Sequence, residues 1–186
     1  MRRSRFDVVD ATPGSVVLLG DSITEQGIWH EWLPQFSVLN RGVAGETIGD
    51  VISRVEVVRG ARAVSLMVGT NDLGGLGATR RVAGIAVQYE HLLTRLRQAN
   101  PAAPLIITSV LPREVGQASR VRELNDCLIR LCRPYEAIYV DAWSRMHGSR
   151  YELRGEFTKD RVHLNGAGYR EWLTVLSPAL QEATAQ

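Results

Sequence analysis

The sequence VVLLGDSIT, at residues 16–24, joins a short apolar run to a polar turn. The apolar part is continuous rather than alternating, and half of it is β-branched valine. Strands with this pattern are buried on both faces, as parallel strands are when helices cover both sides of a sheet. The segment therefore predicts a buried parallel strand that ends in a turn carrying Asp21 and Ser22.

Four further apolar runs of the same kind follow, and helical periodicity separates them. The runs lie at residues 36–39, 63–68, 104–108 and 137–140, and the helical patterns at residues 29–33, 48–55, 82–96, 121–131 and 167–180. Asn100-Pro101 and Pro134 end two of these helical patterns. Alternating strands and helices predict an α/β fold, a three-layer α/β/α sandwich whose five-stranded parallel sheet has the flavodoxin-like order 2-1-3-4-5.

Length and composition limit the class of protein. The chain has 186 residues, close to the size of one domain of roughly 150 residues, so we expect a single domain over residues 1–186 with its core at about 15–180. Hydrophobic residues make up 45% and charged residues 23%, which excludes a disordered, collagen-like or coiled-coil chain. The net charge of +2 comes from scattered arginines, so we expect no nucleic-acid partner.

The sequence shows no pattern typical of a membrane-spanning segment or of a set of disulfide bonds. No apolar run approaches the length of a membrane span, and the amino terminus lacks the apolar stretch of a signal peptide, so we expect a cytoplasmic protein. Cys127 and Cys132 stand five residues apart in a predicted helix. They point in different directions there and match no zinc spacing, so we expect neither a disulfide nor a metal site.

Polar segments stand where the strands end, which is where ligands bind in open α/β sheets. The segments are GDSIT at residues 20–24, NRGVAGET at 40–47, GTND at 69–72 and DRVHLN at 160–165, before the last helix. The predicted fold brings all four to one edge of the sheet.

These segments hold the side chains that nucleophilic catalysis needs. A serine hydroxyl such as that of Ser22 attacks a carbonyl only with a base in hydrogen-bond reach. His163 is the best candidate base, and Asp160, three residues earlier, can hold its imidazole in the correct tautomer. The backbone N–H groups of Ser22 and Gly45 and the side-chain amide of Asn71 can stabilise an oxyanion.

Each segment taken alone has an ordinary structural interpretation. A serine such as Ser22 after Gly-Asp commonly caps a helix, Asn71-Asp72 is common in turns, and residues 160–163 resemble a surface loop. The order of all four segments favours catalysis instead. The other polar and aromatic candidates are interpreted as capping, surface or packing residues: Asp21, Asp141, His30, His91, His147, Trp29, Trp32, Trp143 and Trp172.

On these residues the chain resembles the SGNH hydrolases, also called the GDSL esterase/lipase family. The four named positions of the family fall on Ser22, Gly45, Asn71 and His163, and the family's aspartate falls on Asp160. The first block reads GDSI rather than GDSL, a common variation. The stretch VLPR at residues 110–113 is similar to the acetylhydrolase branch, which includes catalytic subunits of platelet-activating factor acetylhydrolase.

The resemblance implies metal-free and cofactor-free hydrolysis of carboxylic esters or thioesters in a shallow site. The catalytic residues would be Ser22, Asp160 and His163. We expect a serine esterase acting on small-molecule, short-acyl esters, most simply acetyl esters; a thioesterase or a lysophospholipase is the alternative within the family. The sequence is compatible with a homodimer. The alternative from another class is a non-catalytic flavodoxin-like module for phosphate or nucleotides, although no Gly-rich phosphate loop occurs.

Overall fold

The computed structural model describes residues 2–6, 11–74 and 81–185. Its sheet contains the parallel strands β1 (Val16–Gly20), β2 (Val38–Gly42), β3 (Ala63–Met67), β4 (Leu105–Thr108) and β5 (Ile138–Val140). The spatial order is β2-β1-β3-β4-β5, which confirms the predicted α/β class and strand order.

Helices connect successive strands and close the chain. Within the described ranges the α-helices are α1 (Arg2–Phe6), α2 (Ser22–Glu25), α3 (Trp29–Trp32), α4 (Ile48–Ile52), α5 (Thr70–Gly74), α6 (Val82–Ala99), α7 (Ala118–Cys132), α8 (Trp143–Met146) and α9 (Gly166–Thr184). Single 3-10 turns occur at Val55–Val58, Val115–Gln117, Arg133–Tyr135 and Gly155–Phe157. No helix of this part of the chain is both long and apolar enough to cross a membrane.

The sheet separates two hydrophobic cores, one on each face. Along β1, Val17 and Leu19 join the core that contains α4, α6 and α7, whereas Val16 and Leu18 join the core that contains α3 and α9. Each of these side chains is at most 2% exposed, and full burial of one valine or leucine stabilises the fold by about 1.5–3 kcal/mol. Burial on both faces explains why the strand sequences are continuous apolar runs.

Strand β2 begins and ends later than predicted. The expectation placed it at residues 36–39, with Asn40 and Arg41 in the following loop, but both residues lie inside the strand. The ladder pairs Leu18 with Asn40 and Leu19 with Arg41. The Asn40 amide donates to the carbonyls of Glu25 and Gly27 at 3.0 and 3.2 Å. Asn40 is polar because its side chain binds backbone groups, and the Arg41 guanidinium lies over the Phe6 ring. The polarity of these two residues therefore does not mark the end of the strand.

The region between β5 and α9 is packed against the rest of the fold. It contains α8, a 3-10 turn and isolated β-bridges, one of them between Thr158 and Leu164. Leu153, Phe157 and Leu164 are buried in the core beside α9. On α7, Cys127 and Cys132 are both free thiols.

Candidate active site

Ser22 lies at the start of α2, directly after β1. The helix is capped by Asp21, whose carboxylate accepts a hydrogen bond from the N–H of Ile23 at 2.9 Å. The interpretation of Ser22 as a helix cap is therefore wrong, because Asp21 has that role. Since capping does not use the Ser22 hydroxyl, that group is left for other contacts, and the residue is 7% exposed.

A chain of three polar side chains begins at this hydroxyl. Ser22 Oγ lies 3.0 Å from His163 Nε2, across 141 residues of sequence. The other ring nitrogen, His163 Nδ1, lies 2.6 Å from Asp160 Oδ2. Both are hydrogen-bond distances, so the fold brings together the hydroxyl, imidazole and carboxylate that the sequence predicted to meet.

A tight turn at residues 160–163 fixes the carboxylate against the ring. Asp160 Oδ1 accepts hydrogen bonds from the N–H groups of Val162 and His163, at 2.9 and 2.7 Å. Arg161, between them, has a φ of +66°, in the left-handed region that non-glycine residues rarely adopt. The hydrogen bonds from the His163 side chain and its backbone N–H hold the pKa of Asp160 well below its ordinary value, so the carboxylate is ionised.

Thr158 organises the same turn, and the sequence analysis missed it. Its buried hydroxyl donates to the His163 carbonyl at 2.7 Å and accepts from the Arg161 N–H at 3.0 Å. A threonine two residues before a turn-forming aspartate was the available signal, because hydroxyls at this spacing often bond to nearby backbone groups. Thr158 therefore holds the turn that presents Asp160 and His163.

Gly45 lies in the loop that follows β2. Its φ of +79° is one that glycine adopts without steric cost. An added Cβ at this position would meet nothing within 4 Å, so the space beside Gly45 is open. The N–H of Val43 donates to the Gly20 carbonyl at 3.0 Å, which ties the loop to the end of β1. The Gly45 N–H makes no hydrogen bond with any described residue.

Asn71 and Asp72 connect the end of β3 to this loop rather than forming a local turn. The Asn71 amide donates to the Glu46 carbonyl at 2.8 Å, and one N–H of that amide is left without a partner in the described ranges. The Asp72 carboxylate accepts from the N–H of Ile48 at 3.1 Å, at the start of α4. The two side chains thus hold the loop after β2 beside the end of β3.

Arg113, in the 110–113 stretch after β4, reaches the same edge. Its guanidinium donates to the backbone carbonyl and the hydroxyl of Thr70, at 3.0 and 2.9 Å. Because Thr70 immediately precedes Asn71, Arg113 fixes the backbone from which the Asn71 amide projects.

Asp21 is a buried carboxyl next to the serine. Its residue is only 1% exposed, and burial raises its pKa from the ordinary value of 3.8 to about 7, although the hydrogen bond from Ile23 opposes this shift. At a pH between 3.8 and about 7, the Asp21 carboxyl is protonated more often in the folded protein than in the unfolded chain. Ionisation of Asp21 therefore lowers the free energy of unfolding as the pH rises.

Replacing Asp21 with asparagine should stabilise the protein more at high pH than at low pH. Asparagine keeps an oxygen for the Ile23 N–H but cannot ionise. From the pKa difference, the gain in unfolding free energy should grow by about 2–3 kcal/mol between about pH 5 and 8.5. Denaturant titrations at both pH values test this, with Asp141→Asn as the control for loss of an exposed charge. A gain that stays constant with pH would contradict the burial argument.

The other candidates have structural roles. The Asp141 carboxylate accepts a hydrogen bond from the N–H of Ser144, in the first turn of α8, at 3.0 Å. His30 and His91 are exposed on helices, and His147 packs on the ring of Trp143. Trp29 and Trp172 are buried in the core, while Trp32 and Trp143 are partly buried against it. These placements agree with the interpretation of these residues as capping, surface or packing residues.

Comparisons with known proteins place the chain in a family. The model of the GDSL-like lipase/acylhydrolase family matches residues 18–171, and no curated protein matches in sequence. The chain is similar to the structure of a GDSL-like lipase from Bacteroides thetaiotaomicron VPI-5482, with 23% identity, coverage of 97% of this chain and 95% of that chain, and a TM-score of 0.81.

Two further solved structures share the fold. One is a carbohydrate esterase family 3 protein from Talaromyces cellulolyticus, with 20% identity, coverage of 92% of this chain and 98% of that one, and a TM-score of 0.72. The other is a variant of the acetyl xylan esterase Axe2 from Geobacillus stearothermophilus, with 16% identity, coverage of 92% and 96%, and a TM-score of 0.73.

The family match extends over most of the chain and includes all four polar segments at the sheet edge. It confirms the resemblance and the enzyme class, and it does not support the alternative of a non-catalytic nucleotide-binding module. The protein belongs to the GDSL-like lipase/acylhydrolase family and is an ester-bond hydrolase.

Proposed function

We propose that the protein is a serine esterase that hydrolyses short-acyl carboxylic esters through a covalent acyl-enzyme. The observation that carries this proposal is the continuous hydrogen-bonded chain from Ser22 Oγ to His163 Nε2, at 3.0 Å, and from His163 Nδ1 to Asp160 Oδ2, at 2.6 Å. Nucleophile, base and orienting carboxylate in this order are the functional units of a catalytic triad.

In the first half of the reaction, Ser22 Oγ attacks the ester carbonyl while His163 Nε2 takes the hydroxyl proton. The imidazolium that forms is stabilised by the ionised Asp160, whose Oδ2 accepts the Nδ1 proton in a hydrogen bond. The bond between the acyl carbon and the alcohol oxygen then breaks, and His163 donates its proton to the leaving alkoxide. Water, activated by His163, hydrolyses the acyl-enzyme and regenerates Ser22.

The negative charge on the carbonyl oxygen needs donors at the moment of attack. We assign this role to the N–H groups of Ser22 and Gly45 and to the Asn71 amide. The Gly45 N–H and one Asn71 N–H make no hydrogen bond with another described residue, which leaves them for the oxyanion.

Removing the Asn71 amide should lower kcat by about 10²–10³, the cost of losing one oxyanion donor, and change KM much less. The matched control is Asn100→Ala, because Asn100 makes similar amide-to-carbonyl bonds, to Val58 and Ala61 at 2.9 Å each, but belongs to none of the four polar segments. Steady-state kinetics on an acetyl ester measure both variants. An equal loss in Asn71→Ala and Asn100→Ala would remove Asn71 from the oxyanion site.

Three observations support a short acyl group. The region between β5 and α9 is built into the core and carries Asp160 and His163 rather than covering the site as a lid. A cavity of about 310 Å³ lies beside His163, and only one of its lining residues, Leu164, is an apolar residue; the others are Lys159, Asp160, His163 and Asn165. Two similar structures are described as a carbohydrate esterase and an acetyl xylan esterase.

A panel of p-nitrophenyl esters tests the acyl preference. We expect kcat/KM to be highest for the acetate and to fall through the butyrate to the octanoate, because a long chain would lie in solvent rather than in an apolar pocket. The same panel run on Ser22→Ala corrects for background hydrolysis. A maximum at the octanoate would overturn the short-acyl proposal, and faster turnover of a thioester or a lysophospholipid would favour the alternatives within the family.

A further inference from the structure

A buried ion pair lies behind the catalytic edge, outside the set of residues assigned above. Arg54 Nε donates to Glu46 Oε2 at 2.7 Å, and the two residues are only 4% and 6% exposed. Arg54 follows α4 in the sequence, whereas Glu46 lies next to Gly45 in the loop after β2. Charged residues are almost never this deeply buried unless they are paired.

The pair connects three segments of the site. Arg54 Nη2 donates to the Gly20 carbonyl at 3.2 Å, directly before Asp21 and Ser22. The backbone carbonyl of Glu46 is the acceptor of the Asn71 amide, at 2.8 Å. One guanidinium and one carboxylate therefore tie the serine turn to the Gly45 loop, and the same loop residue holds Asn71.

The pair is not built for stability alone. Glu46 Oε1 and Arg54 Nη1 are buried and make no hydrogen bond within the described part of the chain. A buried pair recovers its desolvation cost only when its remaining polar atoms are also satisfied, and a well-packed apolar pair of similar volume is often as stable or more stable. An apolar pair cannot supply the hydrogen bonds that Arg54 donates to the Glu46 carboxylate and to the Gly20 carbonyl.

We propose that Arg54 and Glu46 are positioning residues, which set the oxyanion donors of Gly45 and Asn71 relative to Ser22. The inference rests on the proposed function, because it assumes that these donors hold an oxyanion. The ion pair touches neither Ser22 Oγ nor His163, so it acts on the geometry of the donors and not on the base. A misplacement of about 1 Å costs on the order of 10²-fold in rate.

The test compares single and double variants for turnover and thermal stability. Arg54→Met and Glu46→Gln each leave one buried charge without its opposite charge, so both the melting temperature and kcat should fall. The double variant Glu46→Met/Arg54→Met removes both charges, and its melting temperature should return toward that of the wild type. Its kcat should stay about 10–10²-fold low with KM nearly unchanged, because the directed bonds are absent.

A conservative variant tests the inference even where the apolar variants do not fold. Arg54→Lys keeps the charge, but a single ammonium lacks the fork that reaches both Glu46 and the Gly20 carbonyl. We expect it to fold and to lose about tenfold in kcat, while KM stays nearly unchanged. Arg145→Met, which breaks an exposed ion pair with Glu171, is the control that should keep wild-type turnover.

The outcomes separate this inference from the proposed function. If the wild type hydrolyses no ester of the panel, the proposed function fails. If the wild type is active and either Arg54→Lys or a folded double variant turns over at the wild-type rate, the ion pair is structural only and the inference is overturned.

Discussion

Ser22→Ala is expected to lower kcat on an acetyl ester by about 10⁴–10⁶, as removal of the nucleophile does in serine proteases. The variant loses the hydroxyl oxygen that is the hydrogen-bond partner of His163 Nε2, at 3.0 Å, within the described residues. Since Asp21 rather than Ser22 caps α2, the helix keeps its capping bond and the fold should be unchanged.

The measurement is single-turnover and steady-state kinetics on p-nitrophenyl acetate, beside circular dichroism and thermal melting. Ser177→Ala is the matched control. Ser177 lies on α9, and its hydroxyl makes one long hydrogen bond within the described residues, from the Gln35 amide at 3.5 Å. Turnover of Ser22→Ala at the wild-type rate would mean that another group attacks the ester.

Asp160→Asn is expected to lower kcat by about 10³–10⁴, because the substitution imposes the wrong imidazole tautomer. In the turn, Asp160 Oδ1 accepts from the N–H groups of Val162 and His163, so the asparagine oxygen must take that position. The NH₂ group then faces His163 Nδ1, where the carboxylate Oδ2 stood. The ring is left with its proton on Nε2, and a protonated Nε2 cannot accept the proton of Ser22.

Asp141→Asn is the control for this experiment. Asp141 is also an exposed aspartate that accepts a backbone N–H bond, from Ser144 at 3.0 Å, but it contacts no imidazole. We expect Asp141→Asn to keep wild-type kcat. The tautomer argument would be wrong if Asp160→Asn were equally active, or if its loss were matched by a loss of folded protein.

The architecture could be predicted because its signals are local. Apolar runs identify β1, β3, β4 and β5 to within one residue at each end. Helices cover both faces of the sheet and favour apolar side chains in these strands, and Ser65 in β3 and Thr108 at the end of β4 are the hydroxyl-bearing exceptions. The family blocks at Ser22, Gly45, Asn71 and His163 follow strand ends or precede the last helix, and the topology of a parallel sheet brings such positions to one edge.

The features that sequence reasoning missed depend on partners that are distant in the chain. The polarity of Asn40 and Arg41 wrongly predicts the end of β2. Asn40 lies inside the strand because its side chain binds backbone groups of an earlier turn, which the local sequence does not reveal. The roles of Glu46 and Arg54 depend on a guanidinium and a carboxylate that meet behind the loop, and polar residues in those positions are equally typical of a solvent-exposed helix. Thr158 makes its hydrogen bonds to residues that are close in sequence, Arg161 and His163. A threonine near an aspartate is so common in loops, however, that its position alone does not indicate this role.

Labelling with a fluorophosphonate, followed by peptide mapping, tests most directly whether Ser22 is activated by His163. We expect the label on Ser22, at a labelling rate that depends on the imidazole of His163, because that imidazole takes the proton of the serine hydroxyl. In His163→Ala the rate should fall by several orders of magnitude. Modification of a different serine, or labelling of Ser22 at an undiminished rate in His163→Ala, would contradict the assignment.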